Sequence, residues 1–106
     1  MVATKRELAL ELQRLGVELT YTTSEVAEIL GRTRQSVFIE FQEGRYLGKD
    51  DQPLELWYDG RRYLWTPDDV KYAAVSMYRR KRITFAELRR IVRRILIDQG
   101  RLDGNY

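Results

Sequence analysis

The stretch from Thr22 to Phe41, TTSEVAEILGRTRQSVFIEF, predicts two short helices that meet at a tight turn. Apolar residues recur at helical spacing in both halves, first at Val26, Ile29 and Leu30 and then at Val37 and Phe41. Only three residues, Gly31-Arg32-Thr33, separate the halves, so the two helices must cross at a steep angle. This arrangement is the outline of a helix-turn-helix, whose second helix commonly lies in a DNA groove.

The sequence contains signals for the first and last residues of further helices. Threonine precedes glutamate by three residues at Thr4 and Glu7, at Thr22 and Glu25, and at Thr84 and Glu87. Each pair can form a capping box that satisfies free backbone amides. Thr66-Pro67 begins another helix, and glycines stand where helices would end, at Gly16, Gly31, Gly44 and Gly100. The sequence predicts helices near residues 4–15, 23–30, 34–43, 67–80 and 84–98.

A β-hairpin is predicted between Gly48 and Thr66. LELWY and RYLW are rich in β-forming residues, and Asp59-Gly60 between them is a strong signal for a tight hairpin turn. Arg61 and Arg62 stand at or beside its tip, where they either reach phosphates or merely keep a charged turn soluble. The aromatic residues Trp57, Tyr58, Tyr63 and Trp65 are expected to pack the hairpin onto the helices; the alternative is a stacking platform for single strands.

Charge is distributed unevenly along the chain. The net charge is +3, but residues 79–94 alone carry +7, so the rest sums to −4. The basic residues of this run are Arg79, Arg80, Lys81, Arg82, Arg89, Arg90, Arg93 and Arg94, with Glu87 as the one acid. They lack nearby acids in the sequence, which favours a polyanionic partner for one face over an ordinary solvated helix face.

Composition argues against several classes of function. The chain has 106 residues and neither histidine nor cysteine, and it shows no glycine-rich phosphate loop or metal-ligand spacing. We therefore expect no catalysis, cofactor or metal site. Asp50-Asp51 and Asp68-Asp69 have structural explanations in a turn and a helix cap. No apolar run approaches the roughly 20 residues of a membrane span, so a single cytoplasmic domain, residues 1–106, is expected.

Three stretches, YTTSEVAEILGRTRQSVFIEF, EGRYLG and RRYLWTPDDV, resemble the short winged helix-turn-helix shared by phage excisionases and the DNA-binding ends of MerR-type regulators. The residues that carry the resemblance are Thr22, Glu25, Ala27, Leu30-Gly31, Thr33 and Ser36-Val37. The match covers about half the chain, residues 21–70. It departs from the family at Arg32, where an apolar residue is usual, and at GKDDQP, which lengthens the link between recognition helix and wing.

The predicted fold is mainly α with a β-hairpin wing, a winged helix-turn-helix with extra N-terminal and C-terminal helices. Arg34 can bind guanine, Gln35 can pair with adenine, and Ser36 can contact either a base or phosphate. The expected DNA-binding residues are Arg32, Thr33, Arg34, Gln35, Ser36, Arg45, Arg61 and Arg62. The basic residues of 79–94 are expected to contact phosphate or a protein partner.

The predicted C-terminal helix, residues 84–98, helps to distinguish between the possible functions. Phe85, Leu88, Ile91, Val92, Ile95 and Leu96 form one apolar arc opposite the arginines. The helix is too short for the dimerising coiled coil of MerR-type regulators, which favours an excisionase that binds adjacent DNA sites, bends double-stranded DNA and directs an integrase toward excision. Self-association head to tail would use this helix and the N-terminal helix with Leu8, Leu12 and Leu15. The alternatives are a small phage or plasmid transcriptional regulator and a protein-interaction adaptor.

Overall fold

Threonine side chains begin all four helices within residues 19–100, the part of the chain that this computed structural model describes. Thr22, Thr66 and Thr84 form complete capping boxes with the acidic residue three positions later, and the Thr33 hydroxyl accepts a hydrogen bond from the Ser36 amide at 3.1 Å. Each cap satisfies amides that the first helical turn leaves free. Thr4, Glu7, Gly16 and the predicted helix near 4–15 lie outside the described residues.

The helices and strands alternate along the chain. In chain order they are β1 (Tyr21–Thr22), α1 (Thr23–Leu30), α2 (Arg34–Gln42), a 3₁₀ turn (Lys49–Asp51), β2 (Trp57–Tyr58), β3 (Tyr63–Trp65), α3 (Pro67–Arg79) and α4 (Phe85–Asp98). The four helices agree within about one residue with the predicted ranges near 23–30, 34–43, 67–80 and 84–98. Gly31, with φ of 69°, ends α1 in the left-handed conformation that glycine adopts without strain.

A three-stranded antiparallel sheet holds the hairpin to the helix pair. The strand order is β1-β3-β2, with Tyr21 opposite Trp65 and Tyr58 opposite Tyr63. The hairpin is confirmed, but four residues, 59–62, join its strands, and the Asp59 carboxylate accepts hydrogen bonds from the amides of Arg61 at 2.8 Å and Arg62 at 3.0 Å. Strand β1 was not predicted; it has only two residues and forms through pairing with distant Trp65.

Trp65 occupies the centre of the core. Its side chain is fully buried, packs against Phe41 and Tyr46, and donates a hydrogen bond from Nε1 to the Thr23 hydroxyl at 3.1 Å. The donor of the indole is therefore satisfied inside an apolar environment. One cluster of buried side chains unites both helices of the first pair with α3 and α4, so the described residues form a small compact domain.

The extra residues between α2 and the hairpin fold back on themselves. The Gly48 amide donates to the Gln52 carbonyl at 2.7 Å, Leu47 and Pro53 form a β-bridge, and the Leu54 amide donates to Tyr46 at 2.9 Å. The loop therefore closes at its base, and the lengthened link leaves the two flanking segments paired. Such a loop tolerates extra length because the entropic cost of closing a loop grows only slowly with the number of its residues.

Candidate nucleic-acid interface

A groove of about 850 Å³ lies between the first turn of α2 and the β2–β3 hairpin. Its lining residues are Thr22, Thr23 and Ser24 at the start of α1, Arg34, Gln35 and Phe38 on α2, and Tyr58, Arg61, Arg62 and Tyr63 on the hairpin. Three of these ten are arginines and none is acidic. The structure thus brings together Arg34 and Gln35 with Arg61 and Arg62, which the sequence separates by more than twenty residues.

The arginines of this groove keep their guanidinium groups available. Arg34, Arg61 and Arg62 are all exposed. Within residues 19–100, no carboxylate lies within 4.0 Å of Arg34 or Arg61, and Arg62 meets Asp59 only at that limit. An ion pair at 4.0 Å between exposed groups contributes little. The groove therefore presents three positive charges, of which only that of Arg62 has a weak acidic partner among the described residues.

The other residues predicted to bind DNA near α2, apart from Arg32, lie along its other flank. A shallower depression of about 400 Å³ is lined by Thr33, Gln35, Ser36, Ile39, Glu40, Glu43 and Arg45. Gln35 lines both depressions, so the first half of α2 forms a ridge between them. Arg45 forms an ion pair with Glu43, and this flank carries two glutamates. The cationic character of α2 is therefore confined to its first turn.

Arg32 has a different environment from the one predicted. Its Nη2 donates a hydrogen bond to the Arg82 carbonyl at 3.0 Å, which connects the turn between α1 and α2 to the loop between α3 and α4. The side chain is half-buried and does not line the groove. The sequence prediction that Arg32 is available for a phosphate contact thus misses its structural bond, which joins residues 50 positions apart.

Aromatic side chains fix the hairpin against α2. The ring of Tyr63 lies 5.2 Å from Phe41 and 6.0 Å from Phe38, and Tyr58 stacks on Tyr63 at 5.1 Å. Such pairs add stability beyond their buried area. Packing of the hairpin onto the helices is confirmed for Tyr63 and Trp65, whereas Tyr58 is 48% exposed and lines the groove. The alternation of Trp57 inward and Tyr58 outward could have identified Tyr58 as a site residue.

The basic run of residues 79–94 does not line the same groove. Arg79, Lys81 and Arg82 border a separate depression between α3 and α4, and Arg89, Arg90 and Arg93 lie along α4. The prediction that this run lacks acidic partners is wrong in two places: Arg79 lies 3.6 Å from Asp51, and Arg94 lies 3.2 Å from Asp98. Arg79 and Asp51 are far apart in the sequence, whereas Arg94 and Asp98 are four residues apart on the predicted helix, so the second pair could have been predicted.

Two buried tyrosines and one helix-capping glutamate have shifted titration. Burial raises the pKa of Tyr21, and the hydrogen bond that its hydroxyl donates to Asp98 at 2.8 Å raises that pKa further. Burial likewise raises the pKa of Tyr46. The Thr84 amide lowers the pKa of the Glu87 carboxyl by hydrogen bonding to its charged form. These groups lie outside the groove, so their shifts reflect packing and capping.

Across residues 19–100, no three aspartate or glutamate side chains converge as ligands for a metal ion. In the same part of the chain, no helix combines the length and apolarity needed to cross a bilayer.

Comparison with known proteins gives a family without an assigned activity. Residues 11–98 match the model of a domain of unknown function, DUF7229, and the chain belongs to this family. The matched range includes α1 to α4 and the sheet. No curated protein and no solved structure matches the chain.

Proposed function

We propose that this chain binds double-stranded DNA through a winged helix-turn-helix, with α2 as the recognition helix and the β2–β3 hairpin as the wing. The observation that carries the proposal is the groove in which Arg34 and Gln35 of α2 face Arg61 and Arg62 of the hairpin without an acidic neighbour in the lining. Helix-borne side chains suit base edges in the major groove, and hairpin arginines suit phosphates or the minor groove.

The charge distribution on α2 supports the proposal that its first turn recognises the DNA bases. Arg34 can donate two hydrogen bonds to guanine and Gln35 can pair with adenine, while the hydroxyls of Thr33 and Ser36 are close enough along the helix to meet a base or phosphate. Glu40 and Glu43 follow on the outer flank and would repel phosphate. Arg45 already forms an ion pair with Glu43, so we assign to it at most a contact with the phosphate backbone of DNA.

Within this class, an excisionase is the preferred function. Such a protein binds several adjacent sites, bends the duplex and directs an integrase toward excision without catalysing a reaction itself. A small domain with further basic residues outside the groove suits this role, because they can supply additional phosphate contacts to a bent duplex; these residues are Lys81, Arg82, Arg89, Arg90 and Arg93. Bending costs of the order of 1–6 kcal/mol, which such contacts can offset.

A small transcriptional regulator of MerR-like type is the second candidate. The observation that favours it is the apolar stripe on α4, where Phe85 is 59% exposed and could contribute to a dimer interface. A repressor of this kind would bind an inverted repeat as a pair of protomers.

The test is selection from a library of random duplexes, followed by titration of the enriched sequence at several salt concentrations. We expect an enriched motif and an affinity that falls steeply with salt, because each phosphate contact released contributes about 0.9 to the logarithmic slope. Recovery of no motif, together with salt-independent binding, would contradict the proposal and favour an adaptor that docks an acidic protein.

A further inference from the structure

The ring of Tyr58 is held at the surface of the hairpin. It follows buried Trp57 in β2, and because successive side chains of a strand point to opposite faces, it points away from the core and is 48% exposed. Its ring centroid lies 5.1 Å from that of Tyr63, its partner across the two strands. Tyr63 in turn packs on Phe38 and Phe41 of α2. The Tyr58 ring is therefore the outermost member of an aromatic row that fixes its position.

The surroundings of this ring are cationic. Tyr58 lines the groove between α2 and the hairpin together with Arg34, Arg61 and Arg62, and none of the ten described lining residues is acidic. Such cations attract phosphates, which follow one another along a DNA strand with a deoxyribose between each pair. The deoxyribose is the least polar part of that backbone. A flat apolar ring held among cations therefore matches the surface that lies between two phosphates.

The exposure of the hairpin aromatics disfavours a platform for single strands. Such a platform stacks successive bases on several accessible rings. Trp57 and Trp65 are buried in the core, and Tyr63 is half-buried against α2. Of these four aromatic residues, Tyr58 alone is exposed. A single accessible ring suits one contact with a duplex better than a row of stacked bases.

We propose that Tyr58 contacts duplex DNA by packing its ring against a deoxyribose of the strand that separates the two grooves. The inference rests on the proposed function, in which α2 lies in the major groove and the hairpin arginines reach phosphates or the minor groove. Tyr58 lies between these two elements, so it faces the sugar–phosphate strand between the grooves. The contact is apolar and every nucleotide carries the same sugar, so it adds affinity without reading sequence and without releasing counterions.

The test is the affinity of Tyr58→Ala and Tyr58→Phe for duplex DNA at several salt concentrations. Tyr58→Ala should weaken binding roughly fivefold to tenfold, as truncation of a central aromatic residue in an interface commonly does. The loss should be equal on the enriched duplex and on random duplexes, and the salt slope should stay at the wild-type value. Tyr58→Phe retains the ring and should bind like the wild type. The matched control is Tyr72→Ala, which removes a tyrosine of 37% exposure from α3, outside the groove.

This combination of results distinguishes the Tyr58 ring from the arginines of the groove. A loss confined to the enriched duplex would assign the ring to a base, and a lower salt slope would assign the effect to a displaced cation; either overturns the proposal. A circular dichroism spectrum and a urea midpoint check the fold. Tyr58→Thr removes the ring a second time with a β-branched side chain that suits an exposed strand position, and it should behave like Tyr58→Ala.

Failure of this contact and failure of the proposed function are distinguishable. If the wild type binds no duplex, DNA binding fails and the contact with it. If the wild type binds duplexes with a steep salt dependence and Tyr58→Ala binds as well as Tyr72→Ala, only the contact fails. A Tyr58→Phe variant as weak as Tyr58→Ala would assign the contact to the hydroxyl. A larger loss on a single-stranded oligonucleotide than on the duplex would show that bases stack on the ring, which also overturns the proposal.

Discussion

A mutation of Arg34 best distinguishes the contribution of base recognition to DNA affinity from that of non-specific charge. It stands in the first turn of α2, is exposed, and faces the groove without an acidic partner among residues 19–100. A planar guanidinium in this position can bind the O6 and N7 atoms of guanine together, which a lysine cannot do in the same way. Its contribution should therefore depend on the sequence of the duplex.

We expect Arg34→Ala to weaken binding to a specific site by about 1–3 kcal/mol and to relax base preference at one position. Affinity for random duplexes should fall only slightly. The matched control is Lys71→Ala, which removes one positive charge paired with Asp68 and outside the groove. Fluorescence anisotropy on specific and random duplexes provides the comparison. An equal loss on both would assign Arg34 to phosphate.

Tyr21 should make stability depend on alkaline pH. Its pKa is raised in the folded protein, so its contribution to stability is complete below the usual tyrosine value of about 10 and is lost as the pH rises above it. Tyr21→Phe should flatten this part of the profile, measured as the urea midpoint against pH. Because the pKa of Tyr46 is raised in the same direction, Tyr21→Phe and Tyr46→Phe should each flatten the profile in part, and the double variant should flatten it further. Identical profiles for the wild type and Tyr21→Phe would refute the assignment.

At the scale of elements, the turn of the β2–β3 hairpin is held by backbone hydrogen bonds that do not depend on its arginine side chains. The Asp59 carboxylate accepts hydrogen bonds from the amides of Arg61 and Arg62, and these bonds do not involve the arginine side chains. Tyr63 fixes the other end of the loop to Phe38 and Phe41. The two guanidinium groups can therefore be removed while the hairpin persists.

We expect the double variant Arg61→Ala and Arg62→Ala to weaken binding to all duplexes and to lower the salt slope by up to about two, because each phosphate contact contributes roughly 0.9. The double variant Lys49→Ala and Lys71→Ala removes the same charge from residues outside the groove and should leave the slope nearly unchanged. A circular dichroism spectrum like that of the wild type would verify folding. If the two double variants gave the same slope, the hairpin would have no place in the interface.

Local chemistry explains which parts of the fold could be predicted. Thr22 and Glu25 cap α1 through contacts three residues apart, and Gly31 ends the same helix, so these boundaries follow from neighbours in sequence. Strand β1 could not be predicted, because it exists only through the pairing of Tyr21 with Trp65. The bond of Arg32 to Arg82 was missed for the same reason. Interactions over long sequence distances leave no local pattern.

The candidate site was predictable to a similar extent. The exposed face of α2 and the hairpin tip identified Arg34, Gln35, Arg61 and Arg62, because helix and strand periodicity determine which side chains point outward. Periodicity could not tell that Thr33, Ser36 and Arg45 lie on the other flank of α2, since that depends on how the hairpin docks. It also could not reveal the pairing of Arg79 with distant Asp51, although the four-residue spacing of Arg94 and Asp98 on the predicted helix does indicate their ion pair.

At the scale of the whole molecule, the mode of assembly is a prediction that rests on the two ends of the sequence. The sequence predicts a head-to-tail contact, which is heterologous and does not close on itself. Adjacent sites would favour such contacts, because they hold two protomers at a high effective concentration. The free protein should therefore be monomeric and assemble only on DNA.

We accordingly expect gel shifts on a duplex with several direct repeats to show a ladder of more than two cooperative complexes, with a mobility that changes as the site is moved along the fragment. A single complex of two protomers on an inverted repeat, without bending, would instead exclude the excisionase assembly and favour the repressor, since a closed pair needs no third partner.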